Sequence, residues 1–317
     1  MSMTYAENAV VPEHLQGVRL DAAAAQLFPA YSRARLRAWI EAGALSLNGA
    51  TIDKPRQAVV VGDQLSLQVE EAPHQTNAGA EPIPLDVVYA DDDLAILNKP
   101  AGLTVHPGAG QADGTLQNAL LHRFPQTELL PRAGLVHRLD KDTSGLLIVG
   151  LNLSAYTALV AAMAAREIKR EYDAIVNGAV TAGNTIDLPI GRDPRNRLKM
   201  AVLEDGRRAV THYRVQQRFT THTHLRVRLE TGRTHQIRVH MSQARHPIVG
   251  DAVYGGRITR GRNMDDALRT ALNAFPRQAL HARELNLEHP DDGRPLQFTA
   301  EPPADMQQLL TLLQQHG

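Results

Sequence analysis

Between two apolar runs, Gly134-Leu135-Val136 and Leu146-Leu147-Ile148-Val149, the chain carries His137-Arg138-Leu139-Asp140-Lys141-Asp142-Thr143-Ser144-Gly145. Two carboxylates, a guanidinium, an ammonium, an imidazole and two hydroxyls lie within one short segment. A carboxylate in such company suits nucleophilic, acid–base or electrostatic work. Apolar residues on both sides of an Asp/Ser/Gly cluster predict strand, turn, strand. A turn of this kind holds charged side chains at the end of a packed sheet. By itself the segment also reads as a solvated polar turn.

Two other chemistries compete for these residues. Asp140-Lys141-Asp142-Thr143 fits an Asp-x-Asp-x-Thr pattern, in which one aspartate is phosphorylated beside a magnesium ion. That pattern follows a fully apolar buried strand in a parallel α/β domain, whereas Val136-His137-Arg138 is polar. Fourteen histidines invite a metal reading. His235 and His240 stand five apart, off the i, i+4 spacing of one helical face, and no His-Glu-x-x-His occurs. With no cysteine in the chain, disulfides and thiolate metal sites are excluded. Hydrogen bonding accounts for the histidines better, and neither metal nor cofactor is expected.

The elements that must position these residues fall into two groups. A helix is expected from Arg19 to before Pro29, and a second from an Ser32 N-cap through Ala42, with Gly43 as its stop. Leu36, Trp39 and Ile40 share one face of the second helix, and Arg33, Arg35 and Arg37 lie largely away from it. Leu45-Ser46-Leu47, an Asn48-Gly49 turn and Thr51-Ile52 predict a hairpin. Val59 to Asp63 and Leu65 to Val69 predict further strand. Residues 1–15 are expected to be loosely structured, 16–70 to form a small domain, and 71–84, with three prolines and no apolar period, to be a linker.

From 85 to 317 the pattern alternates between strand and helix. Strands are expected at 85–90, 94–99, 169–176, 207–219, 223–230, 280–288 and 295–300. Helices are expected from Thr115, from an Asn152 cap, from Thr234 to Ala244, at about 263–274 and from Ala304 to Gln315. Arg192, Arg195, Arg197 and Lys199 predict a basic loop. Strands in hairpins with interspersed helices indicate an α+β fold with a mixed, mostly antiparallel sheet.

At 317 residues, 43% hydrophobic and 21% charged, the chain is long enough for two packed domains. No basic-then-apolar leader and no run of 18 apolar residues occur, so neither a signal peptide nor a membrane span is expected. A monomer in the cytoplasm is the expectation. Lysine plus arginine and aspartate plus glutamate balance at 34 each. A nucleic-acid binder would then depend on how its charge is distributed.

Four segments in order, Asn98-Lys99-Pro100-Ala101-Gly102-Leu103-Thr104-Val105-His106-Pro107, the His137–Gly150 stretch, Lys169-Arg170-Glu171-Tyr172 and Gly232-Arg233-Thr234-His235-Gln236-Ile237-Arg238-Val239-His240, resemble the RluA family of pseudouridine synthases. Gln278-Ala279-Leu280-His281-Ala282 fits as well, and the resemblance covers about 85 to 315. The N-terminal helices and strands resemble the S4 RNA-binding domain. Val105-His106-Pro107-Gly108-Ala109-Gly110 and Gly250-Asp251-x-Val253-Tyr254-Gly255-Gly256 look most like the RluD branch.

The resemblance implies an isomerase that turns uridine into pseudouridine, with large-subunit ribosomal RNA as the partner and a role in ribosome maturation. Another ribosomal or transfer RNA site, or a non-catalytic assembly factor, are the alternatives. By the same resemblance Asp140 is the catalytic carboxylate and Arg233 its ion-pair partner at the start of a helix at Thr234. Tyr172 stacks on the flipped uracil and assists removal of the C5 proton. Arg138 enters the RNA stack in place of the flipped base. Arg33, Arg35 and Arg37 contact RNA phosphates.

Overall fold

The computed structural model describes residues 3–28, 31, 33–71, 79–108, 111–196, 199–255 and 264–316. The chain divides into two compact units, 1–77 with 126–133 and 78–125 with 134–317.

In the first unit, strands β1 (Met3–Val10), β2 (Leu45–Leu47), β3 (Ala50–Thr51) and β4 (Gln64–Glu71) form a sheet in the order β1-β4-β2-β3. Helices α1 (Leu20–Leu27) and α2 (Arg33–Glu41) accompany it. The expected loose N-terminus is instead a strand, paired from Met3↔Glu71 to Val10↔Gln64. It is an edge strand, so its small and polar residues need no apolar alternation and the backbone ladder suffices to hold it. Asn48 and Gly49 both take positive φ, 53° and 79°, as a two-residue hairpin turn requires. Val59–Asp63 is not a strand: Val59 is buried, while Val60 and Val61 lie exposed in a turn. Leu36, Trp39 and Ile40 are buried as expected. The Ser32 cap lies outside the described residues.

The second unit is built on a nine-stranded sheet. Its strands are β5 (Val87–Ala90), β6 (Leu94–Lys99), β7 (Ser144–Gly150), β8 (Lys169–Asn177), β9 (Asn184–Asp187), β12 (Val210–Arg218), β13 (His222–Leu229), β14 (Leu280–Glu288) and β15 (Pro295–Thr299). The order is β5-β6-β7-β14-β8-β13-β12-β9, with β15 paired to β14. A separate ribbon joins β10 (Ile190–Arg192) to β11 (Met200–Val202). The helices are α3 (Leu116–Arg123), α4 (Leu153–Ala165), α5 (Gln236–Gln243), α6 (Asp266–Ala274) and α7 (Ala304–His316). Asn152 caps α4 by accepting from the Ala155 N–H at 2.9 Å, as its position predicts.

Every ladder of the large sheet is antiparallel except β7 with β14, which run parallel through His281↔Ser144 and Ala282↔Gly145. Gly145 makes that contact possible: a Cβ there would come within 2.2 Å of the Ala282 carbonyl oxygen. β7 is buried along its length, and Leu146 and Ile148 join Leu94, Ile96, Leu159, Ile168, Leu285 and Leu287 in one core cluster. The chain thus places a fully buried apolar strand inside the sheet, with the charged turn at its N-terminal end.

Several histidines are structural. His222, His240 and His281 are buried, and burial lowers the pKa of each, to about 4 for His222. The unfolded chain therefore binds more protons than the folded one between about pH 4 and the ordinary histidine value near 6.5. Stability falls as pH drops through that window and is level above it. The thermal unfolding midpoint is expected to decline on acidification from pH 6.5 to 4, and His222→Gln to flatten that decline. Equal slopes for wild type and variant would reject the assignment.

Candidate active site

Asp140 opens a tight turn, closed by the Thr143 N–H donating to its carbonyl at 3.1 Å, directly before β7. The upstream strand of the expected strand–turn–strand reduces to one bridge, Leu135↔Val149. The turn precedes the buried strand instead of following one, which removes the basis of the phosphotransferase reading.

The turn is gripped residue by residue from distant parts of the second unit. The Lys141 carbonyl accepts from Lys99 Nζ and from the Gly102 N–H, both at 2.9 Å. The Asp142 carbonyl accepts from Arg277 Nη1 at 3.2 Å, and Arg277 is itself held by Asp305 of α7 through two bonds of 2.8 Å. Gln278 Nε2 donates to Thr143 Oγ1 at 3.1 Å. The Ser144 hydroxyl meets His281 Nδ1 at 2.9 Å. His281 Nε2 donates to the Ala300 carbonyl, and burial lowers the ring's pKa, which favours the neutral ring with Nδ1 accepting from Ser144.

Lys99 is fully buried, and its Nζ also donates to the carbonyls of Pro100 and Leu103, at 2.7 and 2.9 Å. Burial pulls its pKa down to about 7 against the opposing charges of Asp142 and Asp140. Three carbonyl acceptors use all three hydrogens of an ammonium, so the contacts favour the charged form that burial disfavours.

The Asp140 side chain is partly exposed and meets one arginine, Arg238: Nη1 donates to Oδ2 at 2.9 Å. Arg238 lies in the first turn of α5. Its Nε and Nη2 form a two-pronged pair with Asp251, at 2.7 and 3.0 Å. Asp251 is fully buried and also accepts the Val253 and Tyr254 N–H groups at 2.9 Å each. Burial works against the charge on Arg238, but the hydrogen bonds to Asp251 and the charges of both aspartates outweigh it and raise its pKa. Burial likewise opposes ionised Asp251, and Arg238 with the two backbone donors overcomes it, so its pKa is lowered. The Arg238 guanidinium lies over the Tyr254 ring, 5.0 Å from its centroid. The Tyr254 hydroxyl contacts His235 Nδ1 at 2.7 Å, and His235 Nε2 is 3.9 Å from Asp140 Oδ1.

Arg233 is not the partner of Asp140. Its Nε donates to the Arg208 carbonyl at 3.1 Å, and α5 starts at Gln236, two residues later than expected. The reason is local. Gln236 Oε1 accepts the Arg233 N–H and the Thr231 hydroxyl, while Nε2 donates to the Val210 carbonyl and Thr211 Oγ1. That buried amide ties the segment to β12 and leaves Arg238, not Arg233, aimed at the carboxylate.

Tyr172 lies buried in β8, paired with Val227 and Ala282. Burial raises its pKa, Arg170 partly offsets this, and the charge of Asp140 adds to it, which brings the phenol and the carboxylate into one electrostatic neighbourhood. Arg138 is exposed, and no ion pair with Asp142 forms among the described residues. In the first unit Arg33 donates to buried Asp21 at 2.9 and 3.1 Å, and Arg37 pairs with Glu41 at 2.9 Å. The Arg35 side chain lies outside what is described. Arg37, Lys54 and Arg56 line one depression beside α2.

Arg238, Asp251, Tyr254, Lys99, Arg277 and Gln278 were not singled out from sequence. All but Arg277 fall within the quoted motifs, which was the available signal. Among the described residues, metal-ligand side chains gather at Asp91, Asp93 and His289, at the ends of two hairpins. Tyr89 and Arg294 already bond Asp91, and Asn152 bonds Asp93. His235 and His240 diverge, the latter to Thr211 and the Leu188 carbonyl.

Removing Asp251 leaves a buried guanidinium with half its compensation. Asp251→Ala is expected to lower stability by about 3–5 kcal/mol, read by chemical denaturation. A loss below about 1 kcal/mol, the scale of an exposed pair, would show that Asp251 does not secure Arg238.

Residues 93–243 match the family model described as RNA pseudouridylate synthase, and 18–65 match the S4 domain. The chain is 52% identical over 307 residues to ribosomal large subunit pseudouridine synthase D of Xanthomonas campestris pv. campestris, covering 97% of this chain and 92% of that one. It is 52% identical to the protein of that name from Pseudomonas aeruginosa, covering 97% and 95%. Against that of Escherichia coli K12 it is 50% identical, covering 96% and 93%. Among solved structures it is similar to human RNA pseudouridylate synthase domain containing 1, with TM-score 0.55 and 27% identity over 71% of this chain and 86% of that one. Motifs, sheet and relatives agree, and the chain belongs to the RNA pseudouridylate synthase family, enzymes that isomerise uridine in RNA.

Proposed function

We propose that this protein converts specific uridines of large-subunit ribosomal RNA to pseudouridine during subunit maturation, acting as a cytoplasmic monomer without metal or cofactor. The names borne by its relatives support the RNA class. No helix among the described residues is long and apolar enough to cross a membrane. One observation carries the chemistry: a partly exposed carboxylate, Asp140, held at 2.9 Å by an arginine that a buried aspartate clamps in place.

The reaction breaks C1′–N1, rotates the base and joins C1′ to C5, after which C5 loses a proton and N1 gains one. No oxidation is involved. Asp140 is the carboxylate that drives glycosidic cleavage, and the hydrogen bond from Arg238 holds and aims it. The target nucleotide must leave the stack to reach it. Arg138 fills the vacated place, and Tyr172 stacks on the base and assists loss of the C5 proton. The buried phenol, its pKa raised, needs a neighbouring acceptor for that last step. The S4 unit holds RNA phosphates through α2. Arg37 is free to trade Glu41 for a phosphate because both side chains are about half exposed.

The test is a pseudouridine map of ribosomal RNA from cells lacking the protein, complemented with wild type or variants. Sites restored by wild type and not by Asp140→Ala are the expected result. Sites restored equally by Asp140→Ala would overturn the catalytic assignment, and sites lost only from another RNA would overturn the substrate. With purified protein, Arg238→Ala is expected to slow the reaction by about 10²-fold or more, as loss of a preorganised electrostatic contact does. Arg233→Ala is expected to remain within about tenfold of wild type, since an exposed contact to a carbonyl is worth little. The reverse ranking would restore Arg233 as the partner.

A further inference from the structure

Strand β8 separates its charged residues by face. On one side Glu171 pairs with Arg214 and Arg226, and Asp173 pairs with His224, Arg226 and Arg283. On the other, two residues apart and therefore side by side, lie Arg170 and Tyr172. Arg170 is 7% exposed, and among the described residues its guanidinium has no ion pair and no hydrogen bond; its buried Nε is unsatisfied. Buried arginines are ordinarily paired, and an unpaired one is costly enough to need an explanation.

Its surroundings supply one. Arg170 lies against Gly232, the first residue of the Gly232–Arg238 segment, where a Cβ would sit 2.9 Å from Nη1. Its charge acts on Tyr172 beside it and on His137, three residues before Asp140. His137 Nε2 accepts the Ile148 N–H at 3.2 Å, so the proton lies on Nδ1 and is directed to the Arg138 carbonyl. One unused guanidinium therefore lies where three site segments converge.

We propose that Arg170 binds the flipped uracil and stabilises the negative charge that develops on it as the glycosidic bond breaks. This rests on the reading of the Asp140 site given above. When C1′–N1 cleaves, both bonding electrons stay on the base, and the charge spreads from N1 to the O2 and O4 oxygens. A fixed guanidinium at an oxygen of the base favours that state over the neutral bound uridine, and it needs no proton transfer. A phosphate is the poorer occupant, because Arg170 is buried beside Tyr172, on which the base stacks. The missing partner in the free protein is then a feature of function: the site keeps a cation uncompensated until substrate arrives.

The experiment uses the full-length protein and unmodified large-subunit ribosomal RNA from cells lacking it. Single-turnover pseudouridine formation at saturating enzyme, RNA binding and thermal unfolding are measured for wild type, Arg170→Met and Arg170→Lys. Arg170→Met is expected to slow the reaction about 10²-fold or more, with RNA affinity changed less than about threefold and the unfolding midpoint not lowered, since an apolar side chain replaces a buried unpaired charge. Arg170→Lys is expected to recover at least about tenfold of that rate. Weakened RNA binding with a normal rate at saturation would assign Arg170 to a phosphate and overturn the proposal. So would a lowered midpoint with proportionate loss of active protein, or Lys and Met variants that are equally slow. Wild type inactive on this RNA, or Asp140→Ala as active as wild type, would overturn the site reading itself and the Arg170 role with it.

Discussion

A single guanidinium shared between two carboxylates is the constraint on which the site depends. Arg238 spends two donors on Asp251, buried and itself braced by two backbone N–H groups, and one on Asp140, which is partly open to solvent. The unequal environments decide the outcome. Asp251 cannot be hydrated, so it holds the arginine tightly, while Asp140 receives a fixed charge and keeps its second oxygen for other contacts. Lysine could not do this, because one ammonium lacks the planar fork that addresses two carboxylates in fixed directions.

That pairing is useful only if the Asp140 turn is equally rigid, and the interior of the sheet provides this. The turn runs into β7, the buried strand whose parallel contact with β14 permits no side chain at Gly145. Lys99, Arg277, Gln278 and His281 each hold a different residue of the turn. A backbone held at successive carbonyls and hydroxyls has little freedom left, so its geometry is settled before substrate binds. The two faces of β8 show the complementary principle. Charges on one face are neutralised by neighbours, and the one on the site face is not.

Much of this was legible in the chain. The Asn48-Gly49 turn, the Asn152 cap, the apolar run of β7 and the extent of β8 are local consequences of backbone preference and burial. They appear where residue types predict them. The edge strand Met3–Val10 was not legible, because a ladder made by backbone groups leaves little mark on side-chain pattern. Val59–Val61 misled for the opposite reason: apolar residues marked a strand where the chain turns.

The sequence by itself determined that charged, hydroxyl and imidazole groups crowd the turn before a buried strand, that the sheet is mixed, and which motifs belong to one family. Only the tertiary structure decided which arginine serves Asp140. Arg233 and Arg238 are separated by barely more than one helical turn in one motif, and nothing local ranks them. The choice falls to Gln236, which binds the segment to β12, and to Asp251, which pairs with Arg238. Ion pairs between residues far apart in the chain depend on direction and depth, and those quantities exist only once the chain has folded.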